Sequence, residues 1–342
     1  MRAIVIHAAQ DLRVEDHEAE RVGAGEVAVR IEAGGICGSD LHYFQHGGFG
    51  AVRLREPMIL GHEIAGTVAE LGAGVEGLAV GDRVAVNPSR PCRHCRFCLR
   101  GLPNQCLNMR FYGSAMPMPH IQGGFRERLV CDAVQCRPAK RASTSELALA
   151  EPLAVALHAI SRAGPVLGRR VLVTGCGPIG ALVVVAARHA GAAEIVVTDV
   201  VDEPLAIGLR LGADRAVNVA TDPEALRPEQ AAKGQFGIMV ECSGNERALR
   251  AGLDVVEPRG TIVQVGVGSD VSLPQNIVVA KELAIVGSFR FHDEFAQAVA
   301  LIDEGRVDLS PLVTARFDAD DAVEAFTLAA DRRRAMKVQI TF

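Results

Sequence analysis

Four cysteines in one short segment have the spacing of a metal site. Cys92, Cys95, Cys98 and Cys106 follow the pattern C-x2-C-x2-C-x7-C within a loop that contains proline and glycine. Structural zinc sites hold the ion tetrahedrally with four ligands, and thiolate sulfur lies about 2.3 Å from the metal. Because four thiolates fill the coordination sphere, we predict a structural zinc here with no open position for a substrate.

Three other residues supply the mixed donor set of a catalytic metal. Cys37 lies in Gly-Ile-Cys-Gly-Ser-Asp-Leu-His, His62 in Gly-His-Glu, and Glu151 in Leu-Ala-Glu-Pro-Leu. Each alone is ambiguous, since a lone cysteine is usually a small buried side chain and a lone histidine often lies in a turn or a core. Together, thiolate, imidazole and carboxylate suffice for a catalytic zinc that keeps one position open.

A glycine-rich turn predicts a dinucleotide site. The run Gly175-Cys176-Gly177-Pro178-Ile179-Gly180 is G-x-G-x-x-G after an apolar strand, and Asp199 lies 19 residues beyond the last glycine. The glycines would let the backbone approach a pyrophosphate at the positive end of a helix. Asp199 would accept hydrogen bonds from the adenosine ribose, and no arginine follows it to hold a 2′-phosphate, so we predict NAD rather than NADP. The alternative is a tight turn with a solvated aspartate.

Length and composition indicate two globular domains. The chain has 342 residues, 49% of them hydrophobic and 23% charged, which corresponds to two domains of roughly 150 residues. No apolar run reaches the roughly 20 residues that span a bilayer, and residues 1–10 alternate like a strand rather than a signal peptide. The net charge of −5, with no basic block, favours no nucleic-acid partner. We expect the nine cysteines to be reduced, in a cytoplasmic protein.

The hydrophobic pattern changes near residue 170. Before it, alternating segments separated by glycine-containing loops predict strands at 1–7, 26–33, 63–71 and 82–86. After it, strands at 171–174, 194–199, 237–241, 260–265 and 284–288 alternate with helices at 178–190, 203–211 and 245–256. This alternation predicts a parallel sheet with helices on both faces. Helices at 293–304 and 320–330 and a strand at 337–342 complete the prediction.

The motifs together resemble those of the zinc-dependent medium-chain dehydrogenases, over the whole length of the chain. The signature Gly61-His62-Glu63-x2-Gly66-x5-Gly72, the four-cysteine loop and the glycine-rich turn occur in the family's order. The run from Cys37 to Tyr43 resembles the polyol, or sorbitol-type, branch. The run Gly47-Gly48-Phe49-Gly50-x-Val52-Arg53-x2-Glu56-Pro57 is most similar to the L-idonate 5-dehydrogenases.

The resemblance implies an α/β fold with two domains. A GroES-like, β-rich catalytic zinc domain would comprise residues 1–146 and 290–342. A Rossmann domain with a doubly wound parallel sheet, residues 147–289, would bind NAD. In relatives, edge strands of this second domain pair between subunits, so the resemblance also implies a homodimer or homotetramer.

The resemblance implies a specific ligand set for the catalytic zinc. The ligands would be Cys37, His62 and Glu63, with water or substrate in the fourth place. Glu151 would hydrogen-bond that water or replace it. An alternative for Glu63 is a supporting position beside the metal without coordination. With the four-cysteine site, this makes two zinc ions per chain.

Further roles follow from the same resemblance. Ser39 and His42 would relay the alcohol proton to solvent, although Ser39 would also suit the N-cap of a helix that starts at Asp40. Tyr43, Glu151 and Arg290 would contact the substrate, and the guanidinium would suit the carboxylate of a sugar acid. A surface or interface ion pair is the alternative for Arg290. Additional cofactor contacts are implied for Val265, Gly266, Val267, Ser288 and Phe289.

The expected reaction is oxidation of a secondary alcohol of a sugar acid or polyol by NAD. Zinc lowers the pKa of bound water to about 7, and a bound alcohol should shift in the same sense. L-Idonate to 5-keto-D-gluconate is the leading pair, followed by sorbitol or xylitol and then L-threonine. A nucleic-acid-binding zinc ribbon is disfavoured by the acidic charge. A non-catalytic NAD- and zinc-binding regulator is disfavoured because Cys37, His62 and Glu63 are all intact.

Overall fold

The computed structural model describes residues 1–268 and 270–342, which divide into two compact units. The first unit comprises Met1–Glu151 and Phe295–Phe342, and the second comprises Pro152–Glu294. The domain boundaries expected from the sequence, 146/147 and 289/290, each fall five residues before these divisions. Within the described residues, no helix has both the length and the apolar character needed to cross a bilayer.

The first unit is rich in short strands. They are β1 (Arg2–Ala8), β2 (Asp11–Asp16), β3 (Glu26–Gly35), β4 (Gly48–Phe49), β5 (Val52–Arg53), β6 (Met58–Ile59), β7 (Glu63–Leu71), β8 (Arg83–Val86), β9 (Ser89–Arg90), β10 (Arg110–Phe111), β11 (Arg128–Asp132), β12 (Cys136–Ala139), β19 (Val313–Asp318) and β20 (Lys337–Thr341). The largest sheet has the order β12-β8-β7-β3-β20-β19, and β11 also pairs with β3. A second sheet has the order β2-β1-β6, and β4–β5 and β9–β10 form small pairs.

The core of this unit lies around the central strand β3. Val27, Val29 and Ile31 of β3 are fully buried and belong to one cluster with Ile64 and Val68 of β7. Branched side chains suit a pleated surface, and burying each one contributes about 1.5–3 kcal/mol. The central strand is therefore a rigid support for whatever follows its last residue.

Helices complete the first unit and cross its boundaries. Those in the unit are α1 (Gly38–His46), α2 (Thr144–Leu147) and α9 (Ala322–Ala329), whereas α3 (Ala150–Arg162) and α8 (Glu294–Asp303) span the two divisions. Short 3-10 helices occur at Cys98–Arg100, Pro103–Gln105, Ala133–Gln135, Ser310–Leu312 and Ala319–Asp321. Helix α3 was not predicted from the sequence.

The second unit contains a six-stranded parallel sheet. Its strands are β13 (Arg170–Thr174), β14 (Glu194–Asp199), β15 (Arg215–Asn218), β16 (Phe236–Glu241), β17 (Val256–Gln264) and β18 (Ala284–Gly287). Its helices are α4 (Pro178–His189), α5 (Asp202–Arg210), α6 (Glu246–Val255) and α7 (Gln275–Ala280), with a 3-10 segment at Arg227–Lys233. The sheet order β15-β14-β13-β16-β17-β18 is that of a doubly wound Rossmann sheet. The predicted fold class is confirmed.

The sheet order also fixes where a ligand is expected. Strand order reverses between β13 and β16, and doubly wound sheets bind ligands beyond the carboxyl ends of the strands at such a switch point. The glycine-rich turn directly follows β13, so the fold puts it at this edge.

Candidate active site and metal centres

The four-cysteine loop gathers its thiols into one cluster. The sulfur atoms of Cys92, Cys95, Cys98 and Cys106 all lie within 4.8 Å of one another. Three of the Sγ–Sγ distances are 3.4, 3.6 and 3.9 Å. A tetrahedron with metal–sulfur bonds of 2.3 Å has edges of about 3.8 Å, so the donor positions fit a structural zinc.

Backbone donors prepare this loop for thiolate. The N–H groups of Cys92 and Asn108 donate to the Cys106 sulfur at 3.2 and 3.3 Å. The backbone N–H of His94 lowers the pKa of the Cys92 thiol to about 6. Since metal binding requires deprotonated cysteine, these donors reduce the cost of loading the site.

A second cluster brings together Cys37, His62 and Glu63, whose donor atoms lie within 4.8 Å of one another. Cys37 follows β3, whereas His62 immediately precedes the neighbouring strand β7 and Glu63 is its first residue. His62 is 5% exposed and Glu63 is 1% exposed. Thiolate, imidazole and carboxylate are the donor types of catalytic zinc sites with three protein ligands and an open position, so this cluster fits the second zinc.

The helix after Cys37 begins two residues earlier than expected. Helix α1 starts at Gly38 with Cys37 as the N-cap, and the Cys37 N–H donates to Asp40 Oδ2 at 3.0 Å. The expectation that Ser39 caps a helix starting at Asp40 is therefore wrong. The aspartate side chain reaches back to the backbone of Cys37, which places the cap on the metal ligand itself.

Asp40 connects the two ligand segments. It is fully buried; its Oδ1 accepts from the Gly61 N–H at 3.4 Å and lies 3.8 Å from His62 Nδ1. Although burial acts in the opposite direction, the charges of Asp40 and Cys37 raise the pKa of the His62 imidazole well above its usual value. In the described part of the chain, His62 Nδ1 is buried without a hydrogen-bond partner. Negatively charged groups beside a ring nitrogen without a hydrogen-bond partner suit a bound cation.

Lys337 is a site residue that sequence reasoning missed. It lies at the start of β20 and is 3% exposed. Its ammonium group donates to both Glu63 carboxylate oxygens at 2.8 Å and to the Ile36 carbonyl at 3.1 Å. Burial disfavours the ammonium, but the charges of Glu63 and Cys37 outweigh burial and raise the Lys337 pKa. These three bonds use all three donors of a lysine.

The sheet register explains this contact. Gly35 of β3 lies opposite Glu63 of β7 and also opposite Gln339 of β20. A Cβ atom on Gly35 would overlap Glu63 Oε2. A glycine at the end of β3 therefore leaves room for the carboxylate between the two flanking strands. In the sequence, Lys337 is the first residue of the predicted closing strand 337–342, and this position does not indicate its partner.

Glu151 interacts electrostatically with His62 and Glu63. It does not belong to the group of donor atoms that lie within 4.8 Å of one another. It is the second residue of α3 and is 6% exposed. Burial raises its pKa to about 7; His62 opposes this shift, and the Glu63 charge adds to it. Its expected hydrogen bond to a metal-bound water stays a prediction.

The residues expected to relay protons and contact substrate lie in two places. Ser39, His42 and Tyr43 are on α1. His42 is exposed, with its ring centroid 5.8 Å from that of Phe49. Partial burial and the neighbouring His46 lower the His42 pKa. Tyr43 is 1% exposed, and its hydroxyl accepts from the Ala115 N–H at 3.0 Å.

Arg290 belongs to the second unit. It follows β18 with φ of 56°, and its guanidinium carbon lies 4.8 Å from the ring centroid of Phe289. The expected contact between this guanidinium and a substrate carboxylate stays a prediction.

The glycine-rich turn has the features of a phosphate-binding loop. Gly175 has φ of 83°, which favours glycine, and a Cβ on Gly180 would overlap the Gly175 carbonyl oxygen. Helix α4 begins at Pro178 with Gly177 as N-cap and no side-chain cap. The N-terminus of α4 is therefore open to an anionic ligand, for which its free N–H groups and dipole are suited.

Asp199 is more constrained than the sequence suggested. It is 5% exposed; Oδ2 accepts from the Cys176 N–H at 2.7 Å, and Oδ1 accepts from the N–H groups of Val200 and Val201 at 2.7 and 3.2 Å. Asp199 therefore holds the glycine-rich turn and the residues after β14 together. Its expected hydrogen bond to a ribose hydroxyl stays a prediction.

The other expected cofactor residues follow β17 and β18. The N–H groups of Val265 and Gly266 donate to the Glu241 carbonyl at 2.9 and 2.8 Å, and Val267 is 87% exposed. The Ser288 N–H donates to the Gln264 carbonyl at 3.0 Å. Within the described residues the Ser288 hydroxyl oxygen is buried without a partner, which leaves it available to a ligand; the neighbouring Phe289 is 47% exposed.

The remaining cysteines form no metal cluster in the described residues. Cys131, Cys136 and Cys176 are buried and Cys242 is partly buried. The sulfur atoms of Cys131 and Cys136 lie 3.6 Å apart. The Cys176 thiol donates to the Pro204 carbonyl at 3.1 Å.

The buried ion pair between Lys337 and Glu63 predicts how the stability of the protein depends on bound zinc. Lys337→Met leaves the Glu63 carboxylate without its cation, and breaking a buried pair costs about 3–5 kcal/mol. We expect a large fall in the thermal midpoint of the chelator-treated protein and a smaller fall in the zinc-loaded protein, because the metal supplies positive charge to Glu63. Lys140→Met, which changes an exposed lysine of the same unit, should leave both midpoints unchanged. Equal falls with and without zinc would contradict this coupling.

Two protein families and several characterised dehydrogenases are similar to this chain. Residues 23–141 match the family described as alcohol dehydrogenase GroES-like domain, and residues 178–304 match the family described as zinc-binding dehydrogenase. The L-idonate 5-dehydrogenase (NAD(P)(+)) of Escherichia coli K12 is 43% identical over 92% of this chain and 91% of its own length. The sorbitol dehydrogenase of Gallus gallus is 38% identical over 95% of this chain and 92% of its own length.

A solved structure gives the same result. The crystal structure of the Escherichia coli L-idonate 5-dehydrogenase superposes with a TM-score of 0.96 at 40% identity, and the match covers 100% of this chain and 98% of that one. The expected family, its zinc and its nicotinamide dinucleotide are therefore confirmed. The chain belongs to the zinc-dependent medium-chain alcohol and polyol dehydrogenase family.

Proposed function

We propose that this enzyme oxidises a secondary alcohol of a sugar acid or polyol with NAD, and that L-idonate to 5-keto-D-gluconate is its main reaction. One observation carries the reaction type: thiolate, imidazole and carboxylate converge in a buried cluster of the kind that binds catalytic zinc. The substrate is supported by the 43% identity to an L-idonate 5-dehydrogenase over nearly the whole chain.

Zinc would be held by Cys37, His62 and Glu63, and it would supply the Lewis acidity that makes an alcohol easier to deprotonate. Asp40 holds the Cys37 segment through its bond to the Cys37 N–H, and its negative charge lies 3.8 Å from His62 Nδ1. Lys337 holds both Glu63 oxygens and keeps that carboxylate in place. The negative charges of Cys37, Glu63 and Asp40 would offset the positive charges of Lys337 and the metal, so the site as a whole would be close to neutral.

The substrate alcohol loses a proton and a hydride. We assign the proton path to the Ser39 hydroxyl and then the His42 imidazole, because His42 is exposed to solvent. Its pKa is lowered by partial burial and by His46, so the imidazole is neutral and able to accept at physiological pH. NAD, which the glycine-rich turn and Asp199 would hold, would supply the hydride acceptor that leaves the substrate as a ketone.

Sorbitol or xylitol oxidation is the second candidate, supported by the 38% identity to a sorbitol dehydrogenase. L-Threonine ranks lower because members that oxidise it usually carry threonine at the position of Ser39 and lack the Tyr43 pattern. The alternative outside the enzymes is a regulator that binds NAD and zinc without catalytic activity.

The catalytic zinc is tested by metal content. The unchanged enzyme should contain about two zinc ions per chain. Cys37→Ser should retain about one zinc and lose at least about a hundredfold in kcat/KM, because it removes a ligand of the metal that activates the alcohol. Cys131→Ala, which changes a buried cysteine outside both clusters, should keep both ions. A Cys37→Ser enzyme with full metal and activity would remove the catalytic site from the proposal.

The substrate is tested by a panel of polyols and sugar acids with NAD. L-Idonate should have the highest kcat/KM. Arg290→Ala should lower it by about tenfold or more, because a charge-assisted bond to the substrate carboxylate is lost, and should affect sorbitol much less. Arg290→Lys keeps the charge without the planar pair of donors and should fall between the two. Equal losses on idonate and sorbitol would show that Arg290 does not recognise the carboxylate.

The same assay tests the cofactor. The Asp199 carboxylate would lie against a 2′-phosphate, so NAD should be preferred to NADP. Turnover with NADP as good as with NAD would contradict this assignment.

The assembly and location are part of the proposal. Strand β18 is an edge of its sheet in the described chain, and its apolar residues Ala284 and Ile285 are exposed. This apolar edge supports a homodimer or homotetramer, and we propose a cytoplasmic location. Sedimentation should show two or four chains, and Ile285→Lys should shift the enzyme toward single chains. A single-chain species for the unchanged enzyme would contradict the assembly.

A further inference from the structure

Glu241 is a buried carboxylate of the second unit without a role in the mechanism above. It is the last residue of β16 and is fully buried. In the parallel register it is paired with Thr174, the last residue of β13, and with Gln264, the last residue of β17. Glu241 therefore lies between two strand ends at the carboxyl edge of the sheet, next to the switch point between β13 and β16.

Its carboxylate is surrounded by donors from these strand ends and the loop that follows β16. Oε1 accepts from the Ser243 N–H at 2.8 Å, from the Thr174 hydroxyl at 3.3 Å and from the Ser243 hydroxyl. Oε2 accepts from the Gly244 N–H at 2.9 Å and from Gln264 Nε2 at 2.6 Å. All five donors are uncharged, and they saturate a carboxylate, which has about four acceptor sites.

The backbone around Glu241 ties the same loops together. The Glu241 carbonyl accepts from the N–H groups of Val265 and Gly266. A Cβ atom on Gly266 would overlap the Gly244 nitrogen and lie 2.9 Å from Glu241 Oε2. A Cβ atom on Gly175 would lie 2.8 Å from Ser243. The loops after β13, β16 and β17 are thus packed on one another, with the Glu241 carboxylate at their centre.

We propose that Glu241 is a positioning residue for the dinucleotide. It fixes the three loops at the edge where a doubly wound sheet binds its ligand, so that their ordering does not have to be supplied when the cofactor binds. The inference rests on the proposed NAD-dependent function and adds to it a residue that acts through the loops rather than by touching the cofactor.

A carboxylate with only a structural role would stabilise the unit without affecting cofactor binding. Glu229 is the matched control for such a role. Glu229 is 6% exposed and pairs with Arg215. Arg215 is the first residue of β15, so this pair lies at the opposite, amino edge of the sheet. Glu241→Gln and Glu229→Gln are the same chemical change in the same unit at the two edges.

The experiment uses the zinc-loaded, full-length enzyme and measures binding of NADH by calorimetry, together with KM and kcat for NAD. Glu241→Gln replaces one acceptor oxygen with an amide donor that faces N–H groups, so the loops lose their shared anchor. We expect the dissociation constant and KM to rise at least tenfold while kcat changes less than threefold. Glu229→Gln should change the dissociation constant less than twofold, even if its melting temperature falls.

A milder variant tests the same inference in case the Glu241→Gln protein does not fold. Ser243→Ala removes one hydroxyl donor from the carboxylate and should weaken NADH binding two- to fivefold; in a Glu241→Gln background it should add nothing. Unchanged NADH binding in both Glu241→Gln and Ser243→Ala, or equal weakening in Glu229→Gln, would overturn the inference alone. Failure of the unchanged enzyme to bind NADH would instead overturn the proposed function, and this inference with it.

Discussion

The buried ion pair between Lys337 and Glu63 is the interaction on which the catalytic unit depends. Two acidic groups, the Cys37 thiol and the Glu63 carboxyl, must lie side by side to form a metal site, and burying an unpaired charge is costly. Lys337 stabilises the buried Glu63 carboxylate with its positive charge and two hydrogen bonds of 2.8 Å. The pairing of β20 with β3 and the missing side chain at Gly35 are the structural conditions for that contact.

The buried carboxylates at the two sites have different partners. In the first, Glu63 is paired with a cation and lies beside two further metal donors. In the second, Glu241 and Asp199 are satisfied by uncharged donors, most of them backbone N–H groups of the loops they fix. The first arrangement suits a site that must hold a cation. The second suits a site that must receive a ligand carrying phosphate, because it orders the loops without adding positive charge that would compete for it.

The sequence was sufficient for the features that local pattern encodes. Strands 63–71 and 194–199 have the predicted bounds, and the parallel sheet was correctly derived from the alternation of strands and helices. The four-cysteine cluster followed from its spacing alone. Helix α3 was missed because its mostly apolar residues follow the short helix α2 with little to mark a boundary.

Long-range contacts were beyond local reasoning. Residue types alone suggested Glu151 as the third donor, and only the resemblance pointed to Glu63, which the structure groups with Cys37 and His62. Asp40 looked like the first residue of a helix, yet its carboxylate links Cys37 to Gly61. The contacts of Lys337 and Glu241 could not be predicted, because periodicity reports which face a residue occupies and not which distant side chain lies opposite.

The separation of Lys337 from Glu63 has a consequence for synthesis of the protein. The pair joins residues 274 positions apart, and the entire second unit, Pro152–Glu294, is translated between them. A ribosome therefore produces the thiol and carboxyl donors long before their lysine. Strands β19 and β20 of the largest sheet are also translated after the second unit, so the first unit cannot complete its fold before its neighbour in the sequence has been made.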